Sequence, residues 1–147
     1  MKLPDPNAVL PHGFPMLLVD KSLDHTPGRE IVTEKRVGPE EPCFDGLEEG
    51  CDPLYPSTLV LESLVQSGAL LWLDHLERSG KLESATLLLG GVRGCRISGT
   101  VRAGDTIVHT VTIDRLFDDN VIFSGRSAVD GIEVMSIESV VAALRAN

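Results

Sequence analysis

Glu62 is the only charged residue between Pro53 and Leu73, the most apolar stretch of the chain. Gln66 follows it by one helical turn, and Ser63 and Ser67 share its arc if the stretch is helical. A carboxyl group taken out of water keeps its proton more readily, which suits general acid–base chemistry. The same spacing fits a plain polar stripe facing solvent, and periodicity alone does not separate the two. Histidine is the usual base near neutral pH, and there are four: His12, His25, His75 and His109. His12 lies in a proline-rich opening, His25 in a turn and His109 on a strand. His75 falls near a helix end, where a cation complements the dipole. Cys51 has no activating neighbour in sequence. Tyr55 reads first as a packing group and second as a weak acid.

These groups need elements to carry them. The first segment, to about Leu18, holds four prolines and reads as a short helix and turns. Residues 17–24 and 31–37 read as strands, split by the turn signal His25-Thr26-Pro27-Gly28. An irregular loop from Gly38 to Pro56 follows. Pro56 before Ser57 and Thr58 is good helix-start chemistry, and the helix should run to Ser79 with Gly80 as its stop. The apolar segment from Pro53 to Leu73 is long enough to raise the question of a membrane span. Two prolines, Glu62, Gln66 and three serines interrupt the run, so a buried helix wrapped by other structure is expected instead. Residues 87–98, 106–116, 121–129 and 132–144 then read as four strands separated by turns, the last at Asp130-Gly131. Short turns imply antiparallel pairing in a meander. The pattern predicts one α+β domain over residues 1–147, in which a curled antiparallel sheet buries a central helix.

Charge and cysteine content bound the partners. The net charge is -9 and the pI about 4.8, which disfavours nucleic acid and anionic membranes. Cys43, Cys51 and Cys95 are odd in number and lack CxxC spacing, so neither a disulfide framework nor a zinc site is expected. A reduced, cytoplasmic setting fits best. The opening MKLPDPNAVLPHGFPMLLVD has no unbroken apolar run of the secretory kind. Arg93, Arg96 and Arg102 form a local basic cluster in an acidic chain. It is either a docking patch or scattered solvated charge.

The motifs, in order, resemble one family. The stretch from Pro11 to Asp20 (PHGFPMLLVD) is similar to the opening motif of the FabZ-type β-hydroxyacyl-ACP dehydratases. Phe44 and Gly46, with Pro56, Leu59, Glu62 and Gln66, resemble their catalytic loop and central helix. Val101 to Asp105 resembles a later turn, with Ala103 where proline is usual. Ala128-Val129-Asp130-Gly131 followed by Val134 resembles the last hairpin. The resemblance spans nearly the whole chain. It implies the hotdog fold, a dimer with sites that straddle the interface, and an acyl substrate on the phosphopantetheine arm of an acyl carrier protein. No other cofactor is implied. One subunit is expected to supply a histidine from the loop before the helix, the other an acidic residue from the helix.

Dehydration removes a proton alpha to a thioester carbonyl and expels the β-hydroxyl. Glu62 matches the family's acid. Ser57, where the family has glycine, offers a backbone N–H to the carbonyl, and a helix cap is the equally good alternative. Gln66, Gly50, Tyr55 and Phe44 are the remaining substrate-binding candidates. The departure is at Leu47. The family's His-Phe-Pro-Gly is here Leu47-Glu48-Glu49-Gly50, with one extra residue near Cys51 and Asp52. Leucine takes no proton, and no other histidine in the sequence is a convincing replacement. The expected roles are the histidine-lacking subunit of a composite dehydratase, a non-catalytic acyl- or carrier-binding protein, or a hotdog thioesterase. The isolated chain is expected to be inactive or weak, and Arg93, Arg96 and Arg102 to dock the acidic carrier.

Overall fold

Pro56 and Gly80 bound the long helix, as their chemistry requires. The Pro56 carbonyl accepts from the backbone N–H of Leu59 and Val60 at 3.0 and 3.2 Å, and the helix α2 runs Ser57–Arg78. At its far end Gly80 takes φ +67, a left-handed conformation that glycine adopts freely. The N–H groups of Gly80 and Lys81 then close on the carbonyls of Glu77 and Leu76. In the computed structural model, residues 2–82 and 85–147 are described. The other elements are α1 (Pro6–Val9), β1 (Lys21–Thr26), β2 (Glu30–Arg36), a 3-10 turn (Pro42–Phe44), β3 (Leu54–Tyr55), β4 (Ala85–Ile97), β5 (Val101–Arg102), β6 (Thr106–Leu116), β7 (Asn120–Val129) and β8 (Ile132–Ala146).

Six strands form one antiparallel sheet in the order β1-β2-β6-β7-β8-β4, and β3 pairs with β5 as a separate two-stranded ladder. The sheet packs around α2, which is the single hotdog arrangement the resemblance implies. Leu64, Leu70, Leu71 and Trp72 of α2 are wholly buried among residues such as Ile31, Val111, Phe123 and Val140. Burying a side chain of this size stabilises the fold by roughly 1.5–3 kcal/mol. No helix among the described residues is long and apolar enough to cross a membrane. The helix is apolar because the sheet surrounds it.

Three sequence expectations shift. The first strand starts at Lys21, not at residue 17, because the chain before it is pinned to α2 (Leu18 N–H donates to Gln66 Oε1 at 2.8 Å, and Leu18 O accepts from Ser63 Oγ at 2.6 Å). The four late strands are not a simple meander. Strands β6, β7 and β8 follow one another, but β4 lies at the sheet edge beside β8. The connection from β4 passes through β5, which pairs with β3 beside the helix start. That small ladder, hidden in a loop and a turn signal, is too short to leave a periodic signature.

At Gly68 the helix packs closely against the sheet. A Cβ there would collide with the buried Phe123 ring. Gly68→Ala is therefore expected to destabilise the protein by about 1–3 kcal/mol through overpacking, lowering Tm by roughly 3–12 °C for a chain of this size. Gly13→Ala, where a Cβ meets nothing within 4 Å, is the control. Thermal melts of the two variants check this, and equal Tm values would refute the close-approach argument.

Candidate active site

A helix this enclosed must pair most of the polar groups it carries, and among the described residues the Trp72 Nε1 on α2 is buried without a partner. On α2, Ser63, Gln66 and Ser67 are buried, so the arc that the sequence allows to face solvent faces the protein. Ser63 Oγ donates to Leu18 O at 2.6 Å and lies 2.7 Å from His109 Nε2. Since the one hydroxyl proton of Ser63 goes to Leu18, His109 Nε2 must be the donor. His109 Nδ1, 2.7 Å from Ser127 Oγ, then accepts. Ser67 Oγ donates to Ser63 O at 2.9 Å and lies 2.7 Å from Thr33 Oγ1. Burial drives the His109 pKa down to about 3. Both ring nitrogens are committed and the ring is neutral, so His109 is a structural strut between α2, β6 and β7.

Gln66 organises the next turn of the same face. Its Oε1 accepts from Leu18 N–H, and its Nε2 donates to Met16 O at 2.8 Å and to Glu62 Oε1 at 3.0 Å. One side chain thus ties the opening segment to the helix and fixes the Glu62 carboxyl. That segment carries His12 back across the helix, so His12 Nε2 stands 3.9 Å from Glu62 Oε1. His12 Nδ1 is buried with no hydrogen-bond partner among the described residues. Glu62, Gln66 and His12 line a cavity of about 110 Å³ whose other walls include Val65, Leu88 and Phe123. A carboxyl group, an imidazole and an apolar pocket in one place can hold an acyl chain and move protons at its polar end. From sequence alone His12 is one histidine of four, set in a proline-rich opening. The spacing of Gln66 to Met16 and Leu18, fifty and forty-eight residues apart, is not readable from periodicity.

The remaining candidates lie elsewhere. Ser57 and Tyr55 line a second cavity, about 300 Å³, with Val60, Ile97, Val101 and Met135. Ser57 and Glu62 are five residues apart, which is about 140° around the helix, and within one chain they serve different cavities. Tyr55 is buried against Phe44, ring centroids 6.3 Å apart, and its hydroxyl has no partner among the described residues. Burial raises its pKa, so the phenol stays neutral. Leu47 is 46% exposed and Gly50 is exposed with φ +87. Neither lines these two cavities. The rewritten loop is held at its far end by Asp52, which receives Arg102 Nε and Nη2 at 3.0–3.1 Å. Much of the Arg102 charge is therefore matched locally. Arg93 and Arg96 are exposed on β4.

The His25 side chain is enclosed as well, at 1% exposure. Its Nε2 is 3.2 Å from Asp74 Oδ2, and Asp74 also binds Arg78 Nε at 2.8 Å. Burial lowers the His25 pKa despite the opposing pull of Asp74. This pair sits toward the C-terminal end of α2, away from Glu62 by three turns.

Known proteins agree with this architecture. A FabA-like domain is matched over residues 10–138. The chain is 40% identical over 109 residues to the 3-hydroxyacyl-[acyl-carrier-protein] dehydratase FabZ of Chloroflexus aggregans, covering 74% of this chain and 72% of that one. It is 35% identical over 131 residues to the FabZ of Latilactobacillus sakei, covering 89% and 90%. Among solved structures, the dehydratase heterocomplex ApeI:P from Xenorhabdus doucetiae superposes with a TM-score of 0.82 at 17% identity, covering 100% of this chain and 93% of that one.

Proposed function

The chain belongs to the FabA-like family of FabZ-type dehydratases, and from that premise we propose that it is the acid-bearing, histidine-lacking subunit of a composite β-hydroxyacyl dehydratase. The observation that carries this reading is the contrast within one molecule. Glu62 is gripped by Gln66 at the mouth of an apolar cavity, while the position of the family's base is an exposed leucine. The substrate is a β-hydroxyacyl thioester on an acyl carrier protein, in fatty-acid or polyketide-type biosynthesis. Glu62 gives its proton to the departing hydroxyl, and a histidine on the partner takes the α-proton. The phosphopantetheine-linked substrate needs no further cofactor for this chemistry.

Two features support a partner. The acid and the helix start open into different cavities of one chain, as sites that straddle an interface require. Strand β4 is a sheet edge with exposed Leu88, Leu89, Val92 and Ile97. An unpaired apolar edge of this kind invites strand addition. The Xenorhabdus neighbour is by name a dehydratase heterocomplex. Arg93 and Arg96, both exposed on β4, are the members of the basic cluster placed to meet an acidic carrier. Exposed, free Cys51 and Cys95 suit the reduced cytoplasm.

The test compares the chain alone with the chain co-expressed with a histidine-bearing FabZ-type subunit. The expected result is a heterodimer that hydrates crotonyl-ACP, with the isolated chain at background. Robust turnover by the isolated chain, or a homodimer that ignores every such partner, overturns the proposal. A stable complex that binds acyl thioesters without turnover would favour a non-catalytic acyl-binding role, for which the Glu62 cavity serves equally.

A further inference from the structure

We propose that His12 is a catalytic residue of the Glu62 site, its Nε2 and the Glu62 carboxyl together clasping the β-hydroxyl of the substrate. The separation of 3.9 Å is too long for a direct hydrogen bond. An oxygen at ordinary hydrogen-bond length, about 2.8 Å, from both atoms fits between them. Both side chains are part-exposed, at 27% and 36%, and both line the same cavity. His12 Nδ1 is sealed in the protein, which leaves Nε2 as the nitrogen turned to a ligand. Gln66 holds both halves of the clasp: it binds Glu62 directly, and it anchors Met16 and Leu18 beyond the His12 turn. Buried Leu10 anchors the other side. His12 and Leu87 also border an adjoining cavity of about 470 Å³ lined by Val9, Leu73, Leu82 and Leu144. The hydroxyl clasp therefore stands between two apolar spaces, where the polar β-carbon of an acyl chain belongs.

This assignment rests on the dehydratase reading. In the step it implies, the substrate hydroxyl keeps its hydrogen and donates a hydrogen bond to His12 Nε2. The Glu62 proton moves to the hydroxyl oxygen as the Cβ–O bond breaks, its electron pair leaving with oxygen as water. The Cα–H electron pair forms the double bond, and the α-proton goes to the partner's base.

The experiment titrates β-hydroxydecanoyl-pantetheine and decanoyl-pantetheine against the chain alone and against its heterodimer. The wild type is expected to prefer the hydroxyacyl probe by about tenfold. His12→Gln and His12→Asn should bring the ratio of hydroxyacyl to decanoyl affinity down toward one, the hydroxyacyl probe losing more than the decanoyl probe does. The ring ¹⁵N signals of wild-type His12, read by NMR, should shift with the hydroxyacyl probe and not with the decanoyl probe, which a merely structural histidine would not show. Preference retained in both His12 variants, or equal ring shifts with both probes, overturns the assignment and leaves the Glu62 reading standing. Failure of both probes to bind chain and heterodimer overturns this assignment and the proposed function together.

Discussion

Glu62→Gln, assembled with a histidine-bearing partner, is expected to lower kcat by about 10²–10³-fold, the scale of a lost general acid, with KM moved little. Glutamine keeps the length of the side chain and an oxygen to accept from Gln66 Nε2, the bond seen at 3.0 Å. It keeps the shape of the cavity wall as well. What it loses is the proton. The loss should therefore fall on the chemical step and not on substrate binding or subunit assembly. Single-turnover dehydration of a β-hydroxybutyryl-ACP by the mixed dimer separates these terms, and gel filtration confirms that the dimer still forms. If Glu62→Gln retains wild-type turnover, Glu62 is not the acid and the composite reading loses its central residue. If the same variant abolishes a hydrolytic activity on acyl-CoA, the carboxylate works as a base on water and the thioesterase alternative takes over.

The sequence reveals most of the fold because its signals are local. Pro56 and Gly80 mark the ends of α2 through backbone constraints of their own. Asp130-Gly131 closes the β7–β8 hairpin with both residues at positive φ, the conformation that dipeptide favours. Less legible is whatever depends on distant pairing. The place of β4 beside β8 has no mark within β4 itself. The same split runs through the site. Glu62 is conspicuous as a lone charge, and Gln66 follows from helical spacing. That Glu62 is held rather than solvated depends on Gln66 reaching Met16 and Leu18, a contact set by how the opening segment folds back. His12 owes its place to the same contact. His109 reads as an unremarkable strand residue, and only the sheet register that sets Ser127 opposite it turns it into a buried bridge to Ser63.

That bridge makes stability depend on pH. Unfolded, His109 titrates near 6.5; folded, burial holds it down to about 3. Above the unfolded value both states are neutral and His109 adds no slope. As pH falls below it, the unfolded chain takes up a proton that the folded chain refuses, so acid favours unfolding. The slope vanishes again only below the folded value. Across the whole window the contribution lost is on the order of 5 kcal/mol, comparable to the total stability of a small domain. His25, its pKa also lowered by burial, pulls in the same direction. Urea titrations from about pH 8 to about pH 5.5 stay above the pI of about 4.8 and capture about 1 kcal/mol of the His109 share. His109→Gln should be less stable at pH 8 by about 1–3 kcal/mol, since one amide does not satisfy both Ser63 and Ser127. Its stability should nevertheless fall less steeply than the wild type's, because glutamine takes up no proton in either state, whereas the carboxylates are common to both proteins and cancel in the difference. Parallel pH profiles for the two proteins, or an NMR titration placing folded His109 near its unfolded value, would show that the ring is not buried neutral between its two serines.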